Sequence, residues 1–221
     1  RDRAHAKRFA ARWGWAEGSG EWRDALNDSE VSLVDVATPN HLHAEMAIAA
    51  LRSGRHVACE KPLAGTLDDA RRMRDEARKA AKRGVRTFVW FNYRRCPAVA
   101  LAHQLVREGR LGEIRHVRAH YLQDWGRGAP AGLWRFRRDE AGSGAHGDLN
   151  AHIVDMARFI TGLEVVEVTG AIEHTFDRRH QVDDAVLFLA RLRGGAVASF
   201  EATRFATGNQ NRNEIEVNGE R

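Results

Sequence analysis

Short apolar runs and longer amphipathic ones alternate through the first part of the chain. Val31-Ser32-Leu33-Val34-Asp35-Val36-Ala37 alternates and is β-branched, which predicts a strand. It runs into Thr38-Pro39-Asn40, where Asn40 is placed to N-cap a helix from His41 to Ser53, closed by Gly54. Val57-Ala58-Cys59 is an unbroken apolar run, the mark of a buried strand, and it stops abruptly at Glu60-Lys61-Pro62. Thr66 to Arg83 is the clearest helix. Thr66 with Asp69 fits a capping box, Asp68 and Asp69 suit the positive helix end, and Lys82 and Arg83 suit the other end before Gly84. Arg86 to Phe91 predicts a further strand, ending in Asn92-Tyr93-Arg94. Strands alternating with helices imply a parallel sheet with right-handed crossovers. Ahead of this unit, Ala4 to Trp13 predicts a helix with Phe9 and Trp13 on one face, and Trp22 to Leu26 a helical turn.

The pattern then changes. After a helix from Pro97 to Glu108, Ile114 to Leu122 predicts a long strand. Asp124 to Pro130 is a glycine-rich loop, Trp134-Arg135 precedes a second glycine-rich stretch, and Leu149 to Thr161 predicts a helix. Glu164 to His174, Asp183 to Leu192 and Ala196 to Thr203 read as successive strands joined by turns such as Gly194-Gly195, and Asn213 to Val217 begins one more. The expected fold class is therefore α/β plus α+β. A parallel-sheet unit over 1–94 is followed by an α+β unit with an open, mostly antiparallel sheet over 95–221.

Composition narrows the picture. Of 221 residues, 43% are hydrophobic and 29% charged, ordinary for a globular protein. No apolar run approaches the roughly 20 residues that span a bilayer. The start, Arg1-Asp2-Arg3-Ala4-His5, lacks the apolar core of a signal peptide, and Cys59 and Cys96 form no disulfide framework or metal spacing. The expected compartment is the cytoplasm, with no membrane partner. The formal net charge is +5, but arginines are interspersed with acids, as between Arg71 and Arg83. These are read as solvated helix faces, not a nucleic-acid surface. There is no repeat.

Ligands of open α/β sheets bind at the C-terminal ends of the strands. Here three strand ends deliver Thr38 and Asn40, Glu60 and Lys61, and Asn92 and Arg94 to one edge. Gly142-Ser143-Gly144-Ala145-His146-Gly147 spells G-x-G-x-x-G, yet no strand precedes it, so it is read as a flexible loop leading into a helix near the site. Asp148 and His152 lie one turn apart, with Asp155 near the same stripe and Leu149, Ile153, Met156 and Ile160 on the opposite, apolar one. This is either a base with a carboxylate partner or a surface histidine beside a capping aspartate. A metal set from His146, Asp148 and His152 lacks a supporting pattern, and no metal is expected. Most of His41, His43, His103, His116, His120, His174 and His180 are read as exposed or structural, and Cys59 as packing.

Together these segments resemble the Gfo/Idh/MocA oxidoreductase family, which includes glucose–fructose oxidoreductase and inositol dehydrogenase. The matching stretches are Ala37-Thr38-Pro39-Asn40-His41-Leu42-His43, Glu60-Lys61-Pro62, Asn92-Tyr93-Arg94, Gly109-Arg110-Leu111-Gly112-Glu113-Ile114, Trp134-Arg135 and Gly147-Asp148 with His152 and Asp155. The Trp-Arg pair and Ala141-Gly142-Ser143-Gly144 are most similar to the inositol- and levoglucosan-dehydrogenase branch. The resemblance implies a Rossmann domain for NAD or NADP and a second domain that shapes the substrate pocket. That second domain would also form a homo-oligomer, dimer or tetramer, through its sheet. Thr38, Pro39, Asn40, His43, Glu60, Lys61, Asn92, Trp134 and Arg135 would line the cofactor. Lys61, Tyr93, Arg94, Asp148 and His152 would meet the substrate, with Lys61, Asp148 and His152 catalytic.

The activity implied is reversible oxidation of a secondary hydroxyl on a sugar or cyclitol, with His152 as base, Lys61 on the reacting oxygen, and Asp148 orienting His152 or the substrate. The alternative is a non-catalytic ligand-binding scaffold of the same fold. The resemblance also departs in places. Asn150 stands where the family has glycine. The family's G-x-G-x-x-G would precede Arg1 and its last strands would follow Val217, so the chain is expected to be a fragment. Arg1 is a candidate arginine for a 2′-phosphate, and the choice between NAD and NADP stays open.

Overall fold

The β-branched and unbroken apolar runs of the first part form a three-stranded parallel sheet ordered β1-β2-β3: Leu33–Val36, His56–Cys59 and Thr87–Val89. The structure, a computed structural model, describes residues 2–130 and 132–221, so Arg1 lies outside the described residues. Before the sheet come helix α1 (Arg3–Trp13) and a short α2 (Asp24–Asn27). Phe9 and Trp13 pair along α1 with ring centroids 6.2 Å apart. Helices α3 (His43–Arg52) and α4 (Leu67–Ala81) make the two crossovers. They bury Ala47, Ile48, Leu51, Met73 and Ala80 against Val36, Val57 and Cys59. Burial pushes the Cys59 thiol up to about 12, with Glu60 and Asp35 adding to the shift, so this cysteine packs and does not react.

Helix α4 begins as the sequence predicts, with the Thr66 hydroxyl accepting from Asp69 N–H at 3.1 Å. Removing that cap in Thr66→Ala should cost about 1 kcal/mol in a denaturant melt. The start of α3 differs. Asn40 does not cap it. Residues Asn40–Leu42 form a 3₁₀ turn, and the buried Asn40 amide instead donates to the Ala141 carbonyl at 2.8 Å. A buried amide takes the partner that tertiary packing offers, and the local cap is lost to it.

The rest of the chain adds α5 (Pro97–Arg107), β4 (Ile114–Leu122), α6 (Arg138–Ala141), α7 (Ala151–Thr161), β5 (Val165–His174), β6 (Ala185–Leu192), β7 (Val197–Thr203) and β8 (Arg212–Gly219). The strands form one sheet in the order β5-β6-β7-β4-β8, antiparallel except for the β4–β7 pair. Leu149 and, from α7, Ile153, Met156 and Ile160 pack on Val117, Ala119, Val186, Phe188, Phe200 and Ala202. The helix covers one face of the sheet. On the strands' other face Ile172, Leu187, Leu189 and Val197 stay exposed. Among the described residues no helix is long and apolar enough to cross a membrane.

Candidate active site

Lys61 follows directly from β2, where its chain leaves the C-terminal edge of the parallel sheet. Its backbone N–H donates to the Glu60 carboxylate at 3.0 Å, and the Lys61–Pro62 peptide is cis. The Lys61 side chain reaches into the second unit. Its ammonium donates to Asp148 Oδ1 at 2.8 Å and to the Asp148 carbonyl at 2.9 Å. Asp148 sits in a π-helical turn, His146–Asn150, that leads into α7. Single π turns recur at functional sites because they free backbone groups from the regular ladder. The second carboxylate oxygen accepts from Arg204 Nη2 at 3.0 Å. Burial alone would raise the Asp148 carboxyl, but Lys61 and Arg204 outweigh it and hold it at about 2.

His152 stands one turn further on, 7% exposed. Its ring is caged by Tyr93, Phe91 and Tyr121, at centroid distances of 4.8, 6.1 and 6.1 Å. Nδ1 is buried with no hydrogen-bond partner, and no bond joins His152 to Asp148. The aromatic cage orients the imidazole, because the Asp148 carboxylate is already committed to two cations. Burial and the neighbouring Lys61 charge lower the His152 pKa to about 4, against a smaller opposing effect of Asp148.

Two cavities meet here. One, about 340 Å³, is lined by Thr38, Pro39, Asn40, Glu60, Trp134 and Ser143. The other, about 420 Å³, is lined by Tyr121, Gln123, Trp125, Leu133 and His152. Lys61, Arg135 and Asp148 line both and form the seam. The Arg135 guanidinium lies 4.6 Å over the Trp134 ring.

Other residues singled out in the sequence fall elsewhere. His43 is fully buried, its ring nitrogens facing the carbonyls of Thr38 at 2.8 Å and Pro62 at 3.0 Å. That is a brace for the loops around the first cavity and not a wall of it. Arg94 points away to Asp155, donating from Nε at 2.8 Å and also from Nη2, and so ties the end of β3 to α7. Asp155 is thus an anchor. Asn92 is exposed and lines neither cavity. Tyr93 touches the site indirectly, through its edge-on contact with His152 and a 2.7 Å hydroxyl bond to Tyr121.

The G-x-G-x-x-G lookalike is a loop packed against the second unit, where the Asp183 carboxylate accepts from Gly144 N–H and His146 N–H, each at 2.7 Å. Among the described residues no three His, Cys, Asp or Glu side chains converge as a metal set.

Arg204, Tyr121, Gln123 and Trp125 were not anticipated. A signal was present for Arg204. Ala198, Phe200, Ala202 and Arg204 fall on one parity of the β7 run, and the first three are buried. An arginine continuing a buried parity needs a charged partner inside.

A parallel α/β unit with its strand ends facing a second, mixed-sheet unit, and a lysine, a carboxylate and an imidazole at the seam, is the architecture of a two-domain α/β oxidoreductase. The chain belongs to the Gfo/Idh/MocA family: residues 1–89 match the model described as an oxidoreductase family with an NAD-binding Rossmann fold, and residues 99–221 match that of the GFO/IDH/MocA C-terminal domain. It is 39% identical over 237 residues to levoglucosan dehydrogenase of Pseudarthrobacter phenanthrenivorans, covering 97% of this chain and 60% of that protein. Among solved structures it is similar to an oxidoreductase domain protein from Kribbella flavida, with a TM-score of 0.95 and 49% identity, covering 100% of this chain and 61% of the other. It is also similar to levoglucosan dehydrogenase in complex with NADH and levoglucosan, with a TM-score of 0.92 and 41% identity, covering 99% and 60%. The chain thus spans about 60% of the length of these relatives.

Proposed function

We propose that the complete protein is a nicotinamide-dependent dehydrogenase that oxidises a secondary hydroxyl of an uncharged sugar, anhydrosugar or cyclitol. The observation that carries this reading is the Lys61–Asp148 bond across the seam of the two cavities, with His152 on the second cavity's wall. The first cavity lies at the C-terminal strand edge, and Thr38, Glu60 and Arg135 give it a polar lining that fits the nicotinamide end of a dinucleotide. When bound there, the nicotinamide supplies the redox chemistry. The second cavity offers aromatic faces at Tyr121 and Trp125 and an amide at Gln123, which suit a polyol ring.

His152, held neutral by burial, takes the hydroxyl proton. Lys61 donates to the same oxygen as negative charge develops on it. Asp148 fixes the Lys61 ammonium and keeps it aimed at the seam. A scaffold with no chemistry has little reason to gather these ionisable groups in a half-buried cleft, since each loses hydration there.

The test is a steady-state assay of the complete protein with NAD⁺ and NADP⁺ against levoglucosan, inositols and aldoses. Turnover of none of them, with cofactor binding intact, would sink the proposal. Oxidation should hold from neutral pH downward until His152 takes up its own proton, then fall tenfold per unit below about pH 4. A limb near pH 6.5 in kcat/KM would mean a histidine base at its ordinary value, against the burial and the Lys61 charge that lower it.

The exposed apolar face of the second sheet, with Ile172, Leu187, Leu189 and Val197, supports a homo-oligomer through that face. Leu189→Glu in the complete protein should then lower the mass measured by light scattering to that of a smaller assembly. An unchanged mass would place the interface elsewhere.

A further inference from the structure

Arg204 is fully buried just past the end of β7, and among the described residues its carboxylate partner is Asp148, itself one quarter exposed. Its backbone is fixed on both sides: Arg204 N–H donates to the Asp184 carbonyl, and its carbonyl accepts from Gly126 N–H, each at 3.0 Å. The guanidinium stacks near Trp125 at 5.1 Å and Phe136 at 5.8 Å. Nη2 bonds Asp148, and Nη1 donates to the Arg135 carbonyl at 3.3 Å. One planar fork thus grips the carboxylate that holds Lys61 and the turn that carries Trp134 and Arg135. A lysine at this position has no fork with which to do both.

We infer that Arg204 is a positioning residue that locks the Asp148 carboxylate in its ionised, Lys61-facing orientation and registers it with the Trp134-Arg135 turn on the cofactor side. Asp148 has two oxygens. With one committed to Arg204, the other is left facing Lys61, and rotation of the carboxylate away from the ammonium is blocked. This rests on the dehydrogenase reading above for its catalytic consequence, though not for its geometry. The charged or titratable groups facing Asp148 are Lys61 from the end of β2, Arg204 from β7, Arg135 from its turn, and His152 and Tyr121 across the second cavity.

The experiment compares Arg204→Met and Arg204→Lys with the parent in the complete protein. Arg204→Met should lower kcat by about tenfold to a hundredfold, the loss expected for a charge-assisted hydrogen bond. Its acid limb, set by His152, should stay that of the parent. Arg204→Lys should keep the acid limb of the parent but not its kcat, since the charge returns without the fork. If Arg204→Met fails to fold by circular dichroism, the Arg204→Lys comparison decides alone.

A second readout needs no turnover: carboxyl NMR of Asp148, assigned with Asp148→Asn, should titrate at higher pH in Arg204→Met, where the charge is lost, and close to the parent in Arg204→Lys. A parent inactive on every polyol but with this titration shift fails the dehydrogenase reading and leaves the inference standing. Parental kcat in Arg204→Lys, or an unshifted Asp148 in a folded Arg204→Met, would overturn it.

Discussion

Lys61→Ala and His152→Ala in the complete protein should each lower kcat by about 10²–10⁴, the usual contribution of one positioned acid–base or electrostatic group. The two losses have different origins. Lys61 gives its protons to Asp148 and, in the proposed mechanism, to the reacting oxygen, so its removal takes away the donor that stabilises developing negative charge. Asp148 would keep Arg204 as a partner, and the pocket would stay folded. His152 makes no protein hydrogen bond through Nδ1 and lies among Tyr93, Phe91 and Tyr121. Its removal takes away the base and opens a void that those rings only partly close, so a modest drop in Tm should accompany the kinetic loss. Because the groups act on one oxygen, the double variant should lose much less than the product of the single losses. Near-parental turnover in both single variants would remove the pair from the mechanism.

The sequence revealed what is local. The run Val57-Ala58-Cys59 and the break at Glu60-Lys61-Pro62 announced a buried strand with a cation at its C-terminal end, because burial on both faces leaves an unbroken apolar signature. The apolar stripe of α7 was equally legible, since a helix against a sheet must keep one face dry. What stayed hidden was the choice of partner. Asn40 carried the right residue type for a cap, but its amide went to Ala141, far along the chain. Asp148 and His152 had the spacing for a carboxylate orienting an imidazole. The carboxylate turned instead toward Lys61 and Arg204, whose approach from two other elements no periodicity encodes. Arg94 and Asp155 sat in matching motifs and proved to be partners of each other.

Gly144→Ala should destabilise the protein by about 3–5 kcal/mol and lower Tm by about 10 °C. A Cβ at 144 would lie 1.7 Å from the Asp183 carbonyl oxygen and 2.7 Å from its carbon, so backbone would have to move. The loop has little room to give way. Asp183 accepts from Gly144 and His146 N–H through its carboxylate, and from Ala145 N–H at 2.9 Å through the same carbonyl. Relieving the clash would break at least one bond to a buried charged acceptor. Gly14→Ala is the matched control. Gly14 has φ of 71° with nothing near a Cβ, so only left-handed strain of about 1–2 kcal/mol should appear. The outcome also decides what the G-x-G-x-x-G spelling means. A phosphate-cradling loop would lose cofactor affinity on this change while keeping its melting temperature. A loop that needs glycine to pass the Asp183 backbone would melt early. Asp148 follows four residues after the clash, so its Lys61 contact should loosen and kcat should fall with stability.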